Sequence, residues 1–276
     1  MSLPLPVTRV TPPSGLARLE LAELVEYREL IAFLIWRDIK VRYKQTTLGV
    51  LWAWLQPILT MIVFTVVFGR LARLPSDGLP YPIFTLAALL PWQLFSSAVT
   101  GSANSLVGSG SLITKVYFPR LIVPLSAVLA TLVDFAVSFV VLIALMAYYH
   151  IAPTAAVIYL PLFILLALAA SFAAGLWCSA LNVRYRDVQY VLPFVMQVWL
   201  FASPVGYSAS LVTSPVARIA FGLNPMTGVI QGFRWSLLGA APPGWLILPS
   251  VAIVGVLLVS GLLFFKRMEQ SFADVI

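Results

Sequence analysis

The sequence predicts an all-α polytopic membrane protein with six transmembrane helices, an N-terminal amphipathic interface helix and a re-entrant outer hairpin between spans five and six. Three observations lead to this prediction. The chain is 61% hydrophobic and only 10% charged, with a mean hydropathy of +0.98, whereas soluble domains carry about 25% charged residues. Its apolar residues fall in runs of about 20, the length that a helix needs to cross a bilayer. Its basic residues lie in the gaps between these runs.

Six apolar runs are long enough to cross the membrane as helices. The predicted spans cover about residues 49–69, 81–102, 122–148, 155–181, 188–207 and 245–265. The second run contains Pro91, and the fifth contains Pro193 and Pro204. Proline inside a spanning helix frees a backbone carbonyl, so we expect neighbouring helices to satisfy the groups left unpaired.

The basic residues predict the orientation of the spans. With the N-terminus inside the cell, 13 of the 17 Lys and Arg residues lie in cytosolic segments and four lie outside. Cytosolic loops of membrane proteins carry such an excess, so both termini are predicted to be cytosolic. The net charge of +7 therefore indicates topology and contact with lipid headgroups rather than binding to nucleic acid.

The spans also divide the chain into four parts. These are a flexible N-terminus (1–15), a cytosolic interface helix (16–48), a six-span domain (49–267) and a cytosolic tail (268–276). In the interface helix, apolar residues gather on one side and basic residues on the other, which is typical of a helix that lies in the headgroup layer. The apolar side comprises Leu24, Tyr27, Ile31 and Ile35, and the basic side comprises Arg37, Lys40 and Lys44. An ordinary solvated helix with a basic end is the alternative.

The outer segment 208–244 is too long for a turn and is interrupted by proline and glycine. Asn224 and Pro225 form a good helix start, and Gly239 offers a stop. Two helices of roughly two to four turns result, too short to cross the membrane. We interpret them as a re-entrant pair that borders a pathway, because non-helical backbone at membrane depth needs protein or water beside it. A loop lying on the surface is the alternative.

The sequence contains no recognisable catalytic constellation. The only histidine, His150, falls at the outer end of the third span, which argues against a histidine-based metal or catalytic site. The glycine-rich stretch 101–111 lacks the Lys-Ser/Thr pair that holds phosphate and Mg²⁺, so it is interpreted as a turn between helices. We therefore expect no metal, no cofactor and no enzymatic activity in this chain.

One acid, Asp134, lies near the middle of the third span, flanked by Thr131 and Ser138 on the same helical face. A charged carboxylate at this depth costs several kcal/mol unless it is paired or hydrated. A structural, hydrogen-bonded role and a pathway-lining role are both compatible with this position.

The fifth span carries aromatic rings and an amide on one helical face. Tyr190, Phe194, Gln197 and Phe201 follow at spacings of four, three and four residues. The apolar faces of sugar rings pack on aromatic rings, and sugar hydroxyls bond to amides, so this face is a candidate substrate path. A seam between two helices explains the same spacing.

Four stretches of the sequence, given with the residues that accompany them, point to a known family. They are Arg37-Asp-Ile-Lys-Val-Arg-Tyr-Lys-Gln-Thr-Thr-Leu-Gly49 with Trp52 and Pro57, Lys115-Val-Tyr-Phe-Pro-Arg120 with Pro124, Asn182-Val-Arg-Tyr-Arg-Asp-Val188 with Ser203-Pro204, and Asn224-Pro225. In these stretches the chain resembles the transmembrane permease subunit of type-2 ABC exporters. The likeness is greatest to permeases that export lipid-linked O-antigen, capsular or teichoic-acid polymers.

The resemblance implies a bacterial inner-membrane channel built from two permease copies and driven by two separate ATPase subunits, which bind the ATP and Mg. It implies a role in ATPase coupling for Lys115, Arg120, Arg184, Arg186 and Asp187, and an outer gate at Asn224 and Pro225. It also implies an anionic lipid-linker headgroup, for which the best candidates are Arg37, Lys40, Arg42 and Lys44. Two alternatives remain: a type-2 permease for a small drug or lipid, and an intramembrane glycolipid transferase.

Overall fold

The computed structural model of the chain describes residues 21–44, 49–211 and 214–275. Within these ranges the chain is helical and contains no strand, so the predicted all-α fold is confirmed. The predicted flexible N-terminus (1–15), the first residues of the predicted interface helix (16–20), its junction with the first span (45–48) and residue 276 of the predicted tail lie outside the described residues.

Eleven α-helices follow one another along the described chain. They are α1 (Leu21–Glu26), α2 (Arg28–Lys44), α3 (Gly49–Phe64), α4 (Tyr81–Gly108), α5 (Gly110–Ile113), α6 (Ile122–Tyr148), α7 (Leu160–Arg184), α8 (Val188–Ala202), α9 (Pro215–Gly222), α10 (Pro225–Leu238) and α11 (Ile247–Val275). A π-helical segment, Thr65–Leu71, continues α3, and a 3₁₀ segment, Ala155–Tyr159, leads into α7.

Five helical stretches in the described residues are long and apolar enough to cross a membrane, so the chain is a multi-pass membrane protein. They are Trp54–Leu71, Tyr81–Gly108, Ile122–Tyr148, Ala155–Arg184 and Ile247–Glu269. Each corresponds to a predicted span, and the third agrees with its prediction at both ends. The second extends six residues beyond its predicted end at 102.

The predicted fifth span (188–207) is shorter in the structure. Helix α8 has 15 residues and ends at Ala202. It stops there because Ser203 precedes Pro204, and a residue before proline is pushed out of the helical conformation; Ser203 is extended, with φ −99° and ψ 151°. Fifteen residues extend for about 22 Å, less than the ~30 Å hydrocarbon core. The six-span count therefore stays a prediction.

The helices form a bundle whose two ends we call near and far. At the near end α2, α5 and the last turns of α11 meet around Leu34, Phe118 and Phe272, which are buried together. The far end carries the starts of α4 and α11 and the end of α10. Helix α4 is the central element, since most of its residues are buried, and it packs against α6, α7 and α10.

A close approach between α4 and α7 depends on a glycine. A Cβ atom at Gly175 of α7 would lie 2.5 Å from the hydroxyl oxygen of Ser102 on α4. Small residues at helix–helix contacts allow such backbone approaches in membranes, where packing rather than the hydrophobic effect drives association. This position fixes how α7 sits on the central helix.

Helices α1 and α2, with the turn between them, pack most of the predicted apolar side onto the near end of the bundle. Leu24, Tyr27 and Ile31 are partly buried in the cluster around Leu34. The other side of α2 is also apolar, because Phe33 and Trp36 expose most of their surface. An ordinary solvated helix would not present these large side chains to water, so the exposed side favours the headgroup layer.

Candidate functional site

The carboxylate of Asp134, within α6, is bonded by the end of α2. Arg42 Nη1 donates to Asp134 Oδ2, and the Tyr43 hydroxyl donates to Asp134 Oδ1. Thr131, on the same helical face as Asp134, does not bond to it; its hydroxyl donates to Val128 O at 2.6 Å within the helix. The sequence did not reveal this pairing, because the partners lie 92 and 91 residues apart in the chain.

The four predicted headgroup residues differ in their partners. Arg37 donates from both Nε and Nη2 to Asp38 Oδ1, at 3.0 and 2.9 Å, and from Nη2 to Ser109 Oγ at 3.2 Å. Arg42 is held by Asp134. Lys40 and Lys44 are exposed, and neither forms a salt bridge within the described part of the chain. The cluster therefore contains two paired arginines and two unpaired lysines.

The predicted substrate-path residues share one exposed face of α8, which we call the aromatic face (Tyr190, Phe194, Gln197 and Phe201). Tyr190 exposes 76% of its surface and Phe194 exposes 68%. The opposite face of α8 is buried through Leu192 and Met196. Within one chain the aromatic face is thus not a helix seam over most of its length.

The end of the aromatic face does contact the first span. The Phe201 ring lies parallel to that of Phe64 at a centroid distance of 6.2 Å, and tilted to that of Phe68 at 6.5 Å. These contacts set α8 beside α3. On α3, the side chains of Leu59 and Val63 are also exposed.

The predicted coupling residues of the first loop separate into a projecting tip and an anchored end. Lys115 is exposed, and the neighbouring Tyr117 exposes 88% of its surface. Phe118 is buried beneath them. Arg120 turns back to α11: its backbone N–H donates to Glu269 Oε1 at 3.2 Å, and its Nη1 donates to Glu269 O.

The second predicted coupling loop meets the first loop at a cavity. The cavity has a volume of about 400 Å³ and is lined by Arg186 together with Val107, Gly108, Gly110, Ser111, Thr114 and Val183. The guanidinium carbon of Arg184 lies 5.5 Å from the centroid of the Tyr185 ring. Asp187 precedes α8, but its side chain makes no capping hydrogen bond and no salt bridge among the described residues. Asp187 therefore forms no helix-capping ion pair within the described residues.

Asn224 and Pro225 begin α10 as predicted, and Asn224 also joins α10 to the end of α8. Its side-chain oxygen accepts from Met226 N at 3.0 Å and from Trp199 Nε1 at 3.1 Å. Its amide nitrogen donates to Ser203 Oγ at 2.9 Å. The predicted helix stop is confirmed as well, because Gly239 follows α10 with a φ of +68°.

Sequence reasoning missed a buried cation at the far end, Arg234 of α10, which is only 4% exposed. Its Nη2 donates to Val205 O at 2.8 Å and its Nε to Phe84 O at 3.2 Å, and its guanidinium carbon lies 3.4 Å from the Phe84 ring centroid. Burial lowers the pKa of Arg234 to about 9, while the Asp77 carboxylate opposes this shift. The guanidinium therefore stays charged at neutral pH. A basic residue inside an apolar helix was the available signal.

Comparison with known families decides what this arrangement belongs to. The family model described as ABC-2 type transporter matches residues 29–238, which is most of the chain. The chain is an ABC-2 type transporter. The resemblance found in the four motif stretches is thereby confirmed.

Several curated proteins are similar to this ABC-2 transporter over most of its length. It is 32% identical over 257 residues to the O-antigen export system permease protein RfbA of Myxococcus xanthus, covering 92% of this chain and 98% of that protein. It is 25% identical over 250 residues to the O-antigen export system permease protein RfbA of Klebsiella pneumoniae, covering 90% and 95%. It is 26% identical over 219 residues to the polysialic acid transport protein KpsM of Escherichia coli, covering 76% and 80%.

Proposed function

We propose that this chain is the channel-forming permease subunit of an ABC transporter that exports polyprenyl-linked polysaccharide of the O-antigen or capsular type. The observation that carries the proposal is the exposed aromatic face of α8, where Tyr190 and Phe194 have no ring partner among the described residues. Aromatic rings beside the Gln197 amide offer sugar units both apolar and polar contacts. The near-full-length similarity to O-antigen export permeases supports this class of substrate.

We place the protein in the bacterial inner membrane with the near end and both termini in the cytosol. The near end holds Arg37, Arg120 and Arg186, and an excess of basic residues favours the cytosolic side. In this orientation α8 is the fifth of six spans, locally shortened, and α10 belongs to the outer half.

The contacts of the α9–α10 hairpin support its re-entrant position. Trp199 donates to Asn224 at the tip of the hairpin and packs edge-on against Phe95 at 5.0 Å between centroids. Phe95 lies about 21 Å along α4 from its far-end start at Tyr81, at about 1.5 Å per residue. A surface-lying loop would not bring Asn224 to this depth.

The proposal includes partners that the chain itself does not supply. Two permease copies enclose the polymer path between their aromatic faces, and two separate ATPase subunits bind ATP and Mg and dock at the near end. The projecting Lys115–Tyr117 tip and the cavity at Arg186 are the contact sites for these subunits. Arg37, Lys40, Arg42 and Lys44 form the basic surface that meets the lipid-linked headgroup.

Deletion of the gene in its own bacterium tests the function. Loss of the permease should leave lipid-linked polysaccharide accumulating on the cytosolic side and remove it from the cell surface, and the wild-type gene should restore export. A partner ATPase without hydrolytic activity should give the same accumulation, because both subunits serve one step. Normal surface polysaccharide in the deletion strain, with loss of efflux of a small drug or lipid instead, would refute the proposal.

A further inference from the structure

The two arginines of the proposed headgroup surface present different edges of their guanidinium groups. In Arg37, Nε and Nη2 are both occupied by Asp38, and Nη2 also by Ser109. In Arg42, only Nη1 is engaged, by Asp134; neither Nε nor Nη2 makes a hydrogen bond to any residue that the structure describes. The Nε–Nη2 edge of a guanidinium group can donate to two phosphate oxygens at once. This edge is occupied in Arg37 and open in Arg42.

The contact that leaves this edge open also fixes the Arg42 side chain. Asp134 accepts from Arg42 with one oxygen and from the Tyr43 hydroxyl with the other. Burial raises the pKa of Tyr43, so its hydroxyl keeps its proton at neutral pH and remains a donor. The Arg42 and Asp134 side chains are 40% and 27% exposed, so the pair is accessible from outside the chain.

We propose that Asp134 is a positioning residue that presents the Nε–Nη2 edge of Arg42 to a phosphate group of a lipid headgroup. The inference rests on the proposed function and deepens it: Arg42 is the bidentate ligand, Lys40 and Lys44 are adjacent point charges, and Arg37 belongs to the surface without making a bidentate contact. The ligand class is a phosphodiester or diphosphate ester carried by a lipid.

The local charge and the rigidity of the site support this division of roles. The pairs Arg37–Asp38 and Arg42–Asp134 are each neutral overall, so Lys40 and Lys44 supply the net positive charge of the surface. A diphosphate diester carries one negative charge on each phosphate, which two lysines balance. An arginine already held by Asp134 loses less side-chain freedom on binding than a free one, which favours affinity.

The test measures binding of a defined probe to the complete transporter, purified with its ATPase subunits in nanodiscs of phosphatidylcholine. The probe is farnesyl diphosphate-linked N-acetylglucosamine, titrated by native mass spectrometry. Arg42→Lys keeps the charge but removes the bidentate edge, and should weaken binding by roughly tenfold. The matched control Arg28→Lys lies at an exposed position at the start of α2, outside the proposed headgroup surface, and should change the Kd by less than about twofold.

Coupling between the two residues distinguishes positioning from general stability. Asp134→Asn should weaken binding roughly fivefold in the wild-type background and have almost no further effect in the Arg42→Lys background. Asp134→Glu should restore part of the loss. Tyr43→Phe is the milder variant if Asp134→Asn assembles poorly: it removes one donor to Asp134 and should weaken binding less. Equal losses from Asp134→Asn in both backgrounds, or tighter binding of Asp134→Asn alone, would overturn the positioning role.

Further measurements identify which lipid supplies the phosphate group, and test this inference separately from the proposed export function. Adding phosphatidylglycerol to the nanodiscs should leave probe binding intact if the site is built for the lipid-linked sugar; complete displacement assigns the site to bulk anionic lipid and overturns its role in substrate recognition. If Arg42→Lys stops export while Asp134→Asn changes neither binding nor export, the inference fails and the export function stands. If the deletion strain exports polysaccharide normally, the export function itself fails.

Discussion

Among single residues, Arg234 shows most clearly what a buried cation can do in this fold. It bonds backbone carbonyls of two segments, the turn after α8 at Val205 and the start of α4 at Phe84. Its charge is also compensated by the Phe84 ring and by Asp77. Asp77 in turn accepts from the Ser208 hydroxyl at 2.6 Å, which ties the loop before α4 to the loop after α8. Arg234 therefore holds the far end of the bundle together.

Replacing this cation by an apolar side chain of similar length tests that role. Arg234→Met removes the guanidinium donors from these carbonyl groups, and a buried acceptor left unsatisfied costs about 1–3 kcal/mol, so we expect a clearly lower Tm of the purified transporter. Arg70→Met at an exposed position of the same end should leave the Tm nearly unchanged. Equal Tm values for Arg234→Met and the wild type would show that the carbonyl groups find other donors.

Local residue patterns predicted the two ends of α10 well and long-range pairs poorly. Asn224 and Gly239 act through bonds to their immediate neighbours, so a cap and a stop were readable from the sequence. Asp134 was singled out as costly to bury, but its partners Arg42 and Tyr43 were not, because no short-range spacing relates α2 to α6. The same holds for Arg120 and Glu269, which are 149 residues apart.

Among helices, α8 combines a short length with an exposed aromatic face. One side of it packs on the central helix through Trp199 and Phe95, and the other side is open in the single chain. Two roles were left open for this face by the sequence, a substrate path and a helix seam. Because Phe194 is exposed in the structure, it does not form a helix seam within one chain, so any seam there lies between two copies of the chain.

Alanine at Phe194 separates a polymer path from a seam between copies. If the ring lines the path, Phe194→Ala should reduce export while the Tm, the dimer and ATP turnover by the partner stay unchanged. The buried control Phe95→Ala should lower the free energy of unfolding by about 3–5 kcal/mol, because it leaves a cavity in the core. Loss of the dimer and a lower Tm for Phe194→Ala would instead identify the face as a seam.

Charge reversal separates the two predicted coupling loops. Arg120→Glu places a second acid against Glu269, so we expect a lower Tm as well as impaired export. Arg186→Glu lies on an open cavity without a salt bridge among the described residues, so export and permease-dependent ATPase activity should fall with the Tm unchanged. Both variants should still insert into the membrane. Full export by Arg186→Glu would remove its loop from the coupling pathway.

For the whole molecule, hydropathy predicted most of the architecture because the bilayer imposes helix length. Five of the six predicted spans have counterparts of spanning length, and the outer segment forms two short helices. The central position of α4 was not predicted from hydropathy, because α4 has the lowest mean hydropathy of the five stretches, 1.4, and only its packing shows that it is the most buried. The length of α8 was missed because Pro204 was placed inside a span instead of after its end.

The chain is expected to work only with a separate motor. Nothing in it resembles a phosphate-binding loop, since the glycine-rich stretch 101–111 has no Lys-Ser/Thr, and in the structure it forms the end of α4 and the start of α5. The purified permease alone should therefore hydrolyse ATP no faster than background, while the reconstituted complex should show robust activity. A phosphate-release assay on both preparations, with a hydrolysis-deficient ATPase partner as control, makes the comparison. Robust hydrolysis by rigorously purified permease would contradict the passive role.

The topology is decided by whether α8 crosses the bilayer. If it crosses, the number of spans is even and both termini lie on the same side of the membrane; if it does not, five spans place them on opposite sides. Single cysteines in a Cys178→Ala background distinguish these cases with a membrane-impermeant thiol reagent on intact cells. Positions 80, 210 and 240 should be labelled from outside, and positions 115 and 186 only after the membrane is opened. Protection of position 210 together with 186 would show that α8 turns back before crossing, and external labelling at 115 would invert the orientation. We expect crossing, because Tyr190 near the start of α8 lies beside the basic loop of the near end, whereas Ser208 after its end is bonded to Asp77 at the far end.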